Sequence, residues 1–448
     1  MQMAFVLAAN QVVSHGFGLF LFSALFPLMR EPLGLNHWYL TTAGITTQAA
    51  YLAGALSVGF LGRWVSAEKL VLITGAAAGL LLLSLFVFTE PYVMIGVLFG
   101  LVFSAAVSWS AIVGLISRFA PPESAASRLT LASSGTAWGY GINGLILLWW
   151  VPVFGWQLVW AFAAAIASIV WLVTLIMVLG LLRKQQQGPL QEPLREPLKD
   201  GEQKGHRSQS LSLESSEDIQ SDESHNANHQ PQSTSHPLEE AKQEALTTRQ
   251  LLLASFTEQR AFFSCLIYFL VGMICMTFTG WLNTYLDELE PMSSLAGSTW
   301  SVIGISGMAC GLLIGRLADK KGHDVTLLLM AAGFALGLTA FSFDPLRYAF
   351  LAGASYGLMY FPVWGVLSSW LSQRYSPIAT MQLSGIGMVA SAIGGSLGNI
   401  LAGQILNQTG SLALMYDLLA VAGALLVFIT AVIYWRSRSR FPLARLMH

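Results

Sequence analysis

Twelve stretches of this chain run for roughly 20 residues or more with scarcely a charged side chain, and within each the apolar positions are continuous rather than alternating. Crossing the ~30 Å hydrocarbon layer of a membrane as a helix takes about 20 mainly apolar residues, whereas a barrel strand alternates apolar and polar positions over about 10. The pattern therefore predicts twelve transmembrane helices: 4–28, 39–62, 70–88, 92–117, 126–150, 156–182, 260–285, 297–315, 325–343, 347–371, 378–403 and 411–435, numbered as spans 1 to 12.

Between spans 6 and 7 the pattern stops. Residues 183–259 are rich in Gln, Ser, Glu and Pro, as in QSLSLESSEDIQSDES, and cannot bury a core. They read as a disordered cytoplasmic linker. The expected plan is an all-α membrane protein with an N-terminal six-helix bundle 1–182, the linker 183–259, a C-terminal six-helix bundle 260–435 and a basic cytoplasmic tail 436–448.

Composition sharpens this picture. Only 10% of residues are charged and 54% are hydrophobic, with a mean hydropathy of +0.59, which excludes an ordinary soluble domain. Thirteen of the 24 acidic residues fall in the linker, so the net charge of −1 says little about the membrane part. In the short loops Arg63, Lys69, Arg118, Arg128, Arg316, Lys320, Lys321, Arg374, Arg436, Arg438, Arg440 and Arg445 fall on one side, against Arg30 and Arg347 on the other. Basic loops stay in the cytoplasm, which predicts both termini inside and residence in a cell (inner or plasma) membrane. The first apolar stretch is too long for a signal peptide and lacks a basic leader, so it reads as a span. Cys265, Cys275 and Cys310 lie inside spans, and neither a disulfide framework nor a metal site is expected.

Sliding the chain against itself by 256 residues brings Gly59-Phe-Leu-Gly62-Arg63 onto Gly315-Arg-Leu-Ala318-Asp319, and Arg118-Phe-Ala-Pro121 onto Arg374-Tyr-Ser-Pro377. One offset serving two distant places indicates a duplicated six-helix unit, the plan of a transporter with a midplane site. The loop GRLADKKG after span 8, its decayed copy after span 2, the twelve spans and the long central loop together resemble the major facilitator superfamily. The resemblance implies two pseudo-symmetric six-helix bundles in which spans 1, 2, 4, 5, 7, 8, 10 and 11 line a cavity while 3, 6, 9 and 12 face lipid. Independent residues agree: Asn10, Gln11, His15, Gln48, Asn143, Asn283, Gln382 and Asn399 all fall in the inner set, where polar groups are tolerated.

The resemblance also gives Asp319 a role, as a latch docking near the N-terminus of span 5, where a helix dipole favours a carboxylate by about 0.3–1 kcal/mol. The matching residue of the first half is Arg63, so one latch is expected rather than two. Arg316, Arg118 and Arg374 on the same side complete the gating candidates. Every Asp and Glu of the membrane part lies at a helix end or loop, so no carboxylate is available at mid-depth for coupling. His15, near the bilayer centre with Gln11 on its face, becomes the candidate for proton coupling and for substrate contact; its unperturbed pKa near 6.5 suits that task. Gln48, Trp138, Tyr140, Asn143 and the stripe Tyr356, Tyr360, Trp364 are the further substrate-binding candidates, for a small uncharged or zwitterionic organic solute.

Three enzyme-like motifs are set aside. Gly139-x-Gly141-x-x-Gly144 has no preceding strand, Gly353-x-Ser355-x-Gly357 lacks the strand-turn-helix setting of a nucleophile elbow, and Gly304-x-Ser306-Gly307 has no histidine in its half to activate a serine within the membrane. The Gly307, Gly311, Gly315 series predicts instead close approach of span 8 to a neighbour. The reading is a monomeric secondary transporter working by alternating access, with a small organic solute, the lipid bilayer and protons as its partners, no cofactor and no nucleic acid. A facilitative carrier or exchanger, and a transport-silent receptor signalling through the linker, are the alternatives.

Overall fold

A computed structural model describes residues 2–61, 64–119, 122–186, 247–291, 293–375 and 377–439. Residues 187–246, the greater part of the expected linker, lie outside that set, as do Arg63, Arg440 and Arg445.

Among the described residues every predicted span is a helix, most of them extended at one or both ends by a few residues. Spans 1 to 6 are Gln2–Arg30, His37–Leu61, Ala67–Val87, Pro91–Phe119, Pro122–Leu145 continued through Phe154, and Gln157–Gln186. Spans 7 to 12 are Gln259–Leu289, Leu295–Lys321, His323–Phe343, Pro345–Ser372, Pro377–Thr409 and Ala413–Ser439. Eleven are long and apolar enough to cross a membrane. The twelfth, span 2, has 25 residues but carries four threonines and Gln48, as an inner helix facing a polar interior can. The duplication is visible in the helix starts: span 3 begins at Ala67 and span 9 at His323, span 6 at Gln157 and span 12 at Ala413, each pair 256 residues apart.

Three boundaries need correction. Span 6 continues to Gln186, past the expected start of the linker at 183, and the chain is helical again from Thr248 to Thr257, inside the segment read as disordered. The Thr247 side chain accepts from the Gln250 N–H while the Gln250 side chain accepts from the Thr247 N–H, a capping box that starts this connector helix. Likewise 436–439 prolong span 12 rather than forming a tail.

Spans 3, 6, 9 and 12 present long apolar side chains outward, among them Leu80, Ile169, Ile176, Leu336, Val421 and Phe428. The large buried side chains, Trp160, Trp281, Trp300, Tyr140 and Tyr356 among them, point inward. The partition into inner and outer helices is thus carried by side-chain direction as well as by composition.

The two halves meet through glycines. A Cβ at Gly304 of span 8 would stand 2.7 Å from the Ala137 carbonyl oxygen and from Gly141 Cα of span 5, and one at Gly144 would stand 2.5 Å from the Gly297 carbonyl oxygen. Spans 2 and 11 meet in the same way, Gly44 against Asn399 and Gly403 against Thr41. All these contacts lie in the half of the membrane away from the chain termini, the far face. Towards the terminal face the helices part: nothing lies within 4 Å of a Cβ position at Gly311, Gly315 or Gly385, and Leu56 and Met381 are exposed. From Gly304 to Lys321 span 8 runs on for 17 residues, about 25 Å, on the diverging side. The molecule is a wedge, shut at the far face. Of the glycine series expected to bring span 8 close to a neighbour, only Gly307 does so, against the Phe361 ring; Gly297 and Gly304 make the cross-half approach.

At the terminal face the two copies have diverged. Glu68 of span 3 holds Arg118 of span 4 at 2.6 Å, with the carboxylate side chain 4% exposed. The residues one repeat later are Asp324 and Arg374, and they have separate partners: Asp324 accepts from Ser437, while Arg374 holds Glu258 at 3.1 Å, just after the connector helix.

Candidate functional site

At mid-depth the wedge ends on aromatic rings from both halves. Tyr140 of span 5 and Tyr356 of span 10 share a hydrogen bond between their hydroxyls, 3.0 Å. Tyr140 stacks on Trp300 of span 8 at 4.9 Å and packs on Phe20 of span 1 at 4.4 Å. Rings four residues apart on a helix lie over one another, so span 10 continues the stack: Tyr356 to Tyr360 is 5.2 Å between centroids, Tyr360 to Trp364 is 6.0 Å edge-on, and Trp364 stacks on Tyr268 of span 7 at 5.1 Å. Exposure rises along this ladder, from fully buried Tyr356 through Tyr360 to the partly exposed Trp364. Tyr356 and Tyr140 are therefore the floor, and Tyr360 and Trp364 the part that a molecule coming from the terminal face meets first.

Beside the floor, span 1 changes its winding. Val12–Phe20 is a π-helix, and such wide turns recur at functional sites because the looser backbone re-aims side chains. Gly16 sits at the crossing with span 5: a Cβ there would stand 2.6 Å from Gly139 Cα. Asn143 donates from Nδ2 to the Gly16 carbonyl at 2.8 Å, which pins the wide turn. His15 lies within it, buried, its Nδ1 3.1 Å from Ser14 Oγ and its ring edge-on to Tyr51 of span 2 at 5.9 Å. Two buried polar atoms nearby, Gln11 Nε2 and Asn143 Oδ1, have no hydrogen-bond partner among the described residues. Buried polar groups are normally satisfied, so these are hydrogen-bonding capacity at the edge of the site.

Gln48 lies in a recess between the halves, lined by Phe20, Ser23, Thr47, Thr279 and Asn399, with room for about two waters. Trp138 stands apart: two residues from Tyr140 it points to the other side of span 5 and pairs with Phe5 at 6.3 Å, nearer the terminal mouth. Asp319 is exposed in the last turn of span 8, and Arg316, three residues before it, is exposed too, on the side where the halves have parted. The side chains of the first turn of span 5, its expected dock, lie outside the described residues. Arg118 and Arg374 hold Glu68 and Glu258 within their own halves.

Four residues that the sequence analysis did not nominate as site residues complete the arrangement. Phe20 and Tyr51 lie beside the floor and His15, and looked like ordinary core apolar positions. Asn283 and Trp300 close the far face: Trp300 donates from Nε1 to Asn283 Oδ1 at 2.6 Å, and Asn283 donates from Nδ2 across the halves to the Ala24 carbonyl at 2.5 Å. The only available signal for Asn283 was an amide within an apolar span.

The sequence matches the model of the Major Facilitator Superfamily over residues 11–399. No curated protein matches it significantly. Among solved structures, a crystal structure of the nucleoside transporter NupG and that of a point mutant of it share the fold, with TM-scores of 0.64 and 0.67 at 15% and 16% identity. Each alignment covers 97% of this chain, and 98% and 99% of the respective NupG chains.

Proposed function

The chain belongs to the Major Facilitator Superfamily and is a membrane transporter of small solutes, and from that premise we propose that it carries a small uncharged or zwitterionic organic solute by alternating access, loading at the aromatic floor from the terminal, cytoplasmic face. The observation that carries this reading is the wedge. Among the described residues the glycine contacts that join spans 5 and 8, and 2 and 11, lie in their far halves, and on the terminal side of buried Tyr356 the ladder becomes more exposed through Tyr360 to Trp364. Ring faces bind apolar and planar parts of a solute, while Gln11, Gln48, His15 and the tyrosine hydroxyls supply hydrogen bonds without a fixed charge. No carboxylate among the described residues faces this site, which favours a solute without a lone positive charge.

The cross-half surface is built from glycine, small side chains and few directed bonds. Such an interface separates at modest cost, as a rocking mechanism needs. His15 is the coupling residue of this reading, the imidazole that the described residues place at that depth.

The experiment is uptake into proteoliposomes from a solute panel, with and without a pH gradient. Nucleosides, the cargo named for NupG, belong in that panel. Uptake of one solute that falls at least tenfold in Tyr360→Leu is expected; binding of that solute without uptake under any gradient would replace the carrier by a receptor.

A further inference from the structure

We propose that the connector helix Thr248–Thr257 lies flat in the headgroup layer at the terminal face, with Leu252, Leu253 and Phe256 inserted among the acyl chains, as a collar at the entry to the second half. The helix has two apolar sides. Leu251 and Ala254 pack against Leu371 at the end of span 10, Leu383 of span 11 and Tyr375 in the loop between them. On the other side Leu252, Leu253 and Phe256 are 52%, 60% and 75% exposed, a cost in water that hydrocarbon removes.

The occupant of that second side is fixed by connectivity. Only Glu258, in extended conformation, separates the connector from Gln259, where span 7 begins, so the helix cannot leave the membrane surface by more than one residue's length. Exposed Phe262, one turn into span 7, continues the apolar strip into the lipid-facing surface. Arg249 in the first turn is exposed and can meet lipid phosphates. Glu258 then locks the end of the helix in place, holding Arg374 at 3.1 Å and accepting from the Tyr375 hydroxyl at 3.3 Å.

The test uses the full-length chain in phosphatidylcholine–phosphatidylglycerol nanodiscs, with Cys265, Cys275 and Cys310 replaced by serine. Spin labels are placed one at a time at Arg249, Leu252, Leu253 and Phe256, and power saturation compares oxygen with a water-soluble nickel chelate. Labels at Leu252, Leu253 and Phe256 are expected to meet oxygen several-fold more than the chelate, and the label at Arg249 the reverse. Preference for the chelate at all four positions, or shielding from both agents by a protein cover, would overturn the proposal. In the double variant Leu253→Glu, Phe256→Glu the label at Leu252 is expected to become chelate-accessible; an unchanged ratio would likewise count against membrane insertion.

Discussion

Substituting Gly304 with valine loads one conformer and spares the other. In the far-closed form the new Cβ stands 2.7 Å from the Ala137 carbonyl oxygen and from Gly141 Cα, both backbone atoms that cannot rotate away. Overpacking of this kind costs about 1–3 kcal/mol, and it vanishes once spans 5 and 8 separate at the far face. Each 1.4 kcal/mol is tenfold in an equilibrium, so the ratio of far-open to far-closed molecules should rise by roughly 5- to 150-fold. The assay is a cysteine at Ser301, which faces Gly144 across the same seam. In a background free of the native cysteines, its reaction with a membrane-impermeant maleimide from the far side reports the open fraction. Labelling should accelerate by that factor while transport slows, because the return to the loading state becomes uphill. Unchanged labelling in a protein with an unchanged melting temperature would refute the view that this glycine seam is the surface that opens.

Three further outcomes follow from the same geometry. Asn283→Leu removes the donor to the Ala24 carbonyl, a cross-half bond worth about 1 kcal/mol, and should raise far-side labelling at Ser301 roughly fivefold; no change would show that bond to be dispensable. Glu68→Gln leaves Arg118 without its anion at a half-buried site and should lower stability by about 1–2 kcal/mol, read as a drop in melting temperature, while Arg374→Gln, at a pair exposed on both sides, should cost a few tenths at most. His15→Gln keeps a hydrogen-bonding side chain but no titratable proton, so uptake should persist and lose its dependence on a pH gradient; retained dependence would remove His15 from coupling.

Much of this fold was legible in the chain because the membrane makes composition speak. The spans are readable as apolar runs, and the inner set betrays itself through amides that lipid would penalise. The single offset linking Gly59–Arg63 to Gly315–Asp319 and Arg118–Pro121 to Arg374–Pro377 made the repeat visible. What could not be read was partnership. Asn10 and Asn283 look alike in sequence, yet Asn10 donates to Thr174 of span 6 within its own half while Asn283 reaches the other half. Trp138 and Tyr140 sit at one depth, but a step of two residues on a helix turns them to opposite sides. The glycines Gly311 and Gly315 signal close approach and meet nothing, because which glycines touch depends on how far two bundles have swung, a state rather than a sequence property. The connector helix escaped notice because polar residues upstream of it set the character of the whole window.

The exchange of partners at the terminal face has a practical bearing on taking the molecule apart. In the first copy both members of the Glu68–Arg118 pair are internal, so a fragment ending after Gln186 keeps its own closure. In the second copy Arg374 draws its anion from the stretch leading into span 7. A bisected transporter rebuilt from two co-expressed polypeptides should therefore assemble when the second piece starts at Thr247, whereas a piece starting at Gln259 would lack both that weak clasp and the connector helix whose Leu251 and Ala254 pack against Leu371 and Leu383, and should assemble poorly.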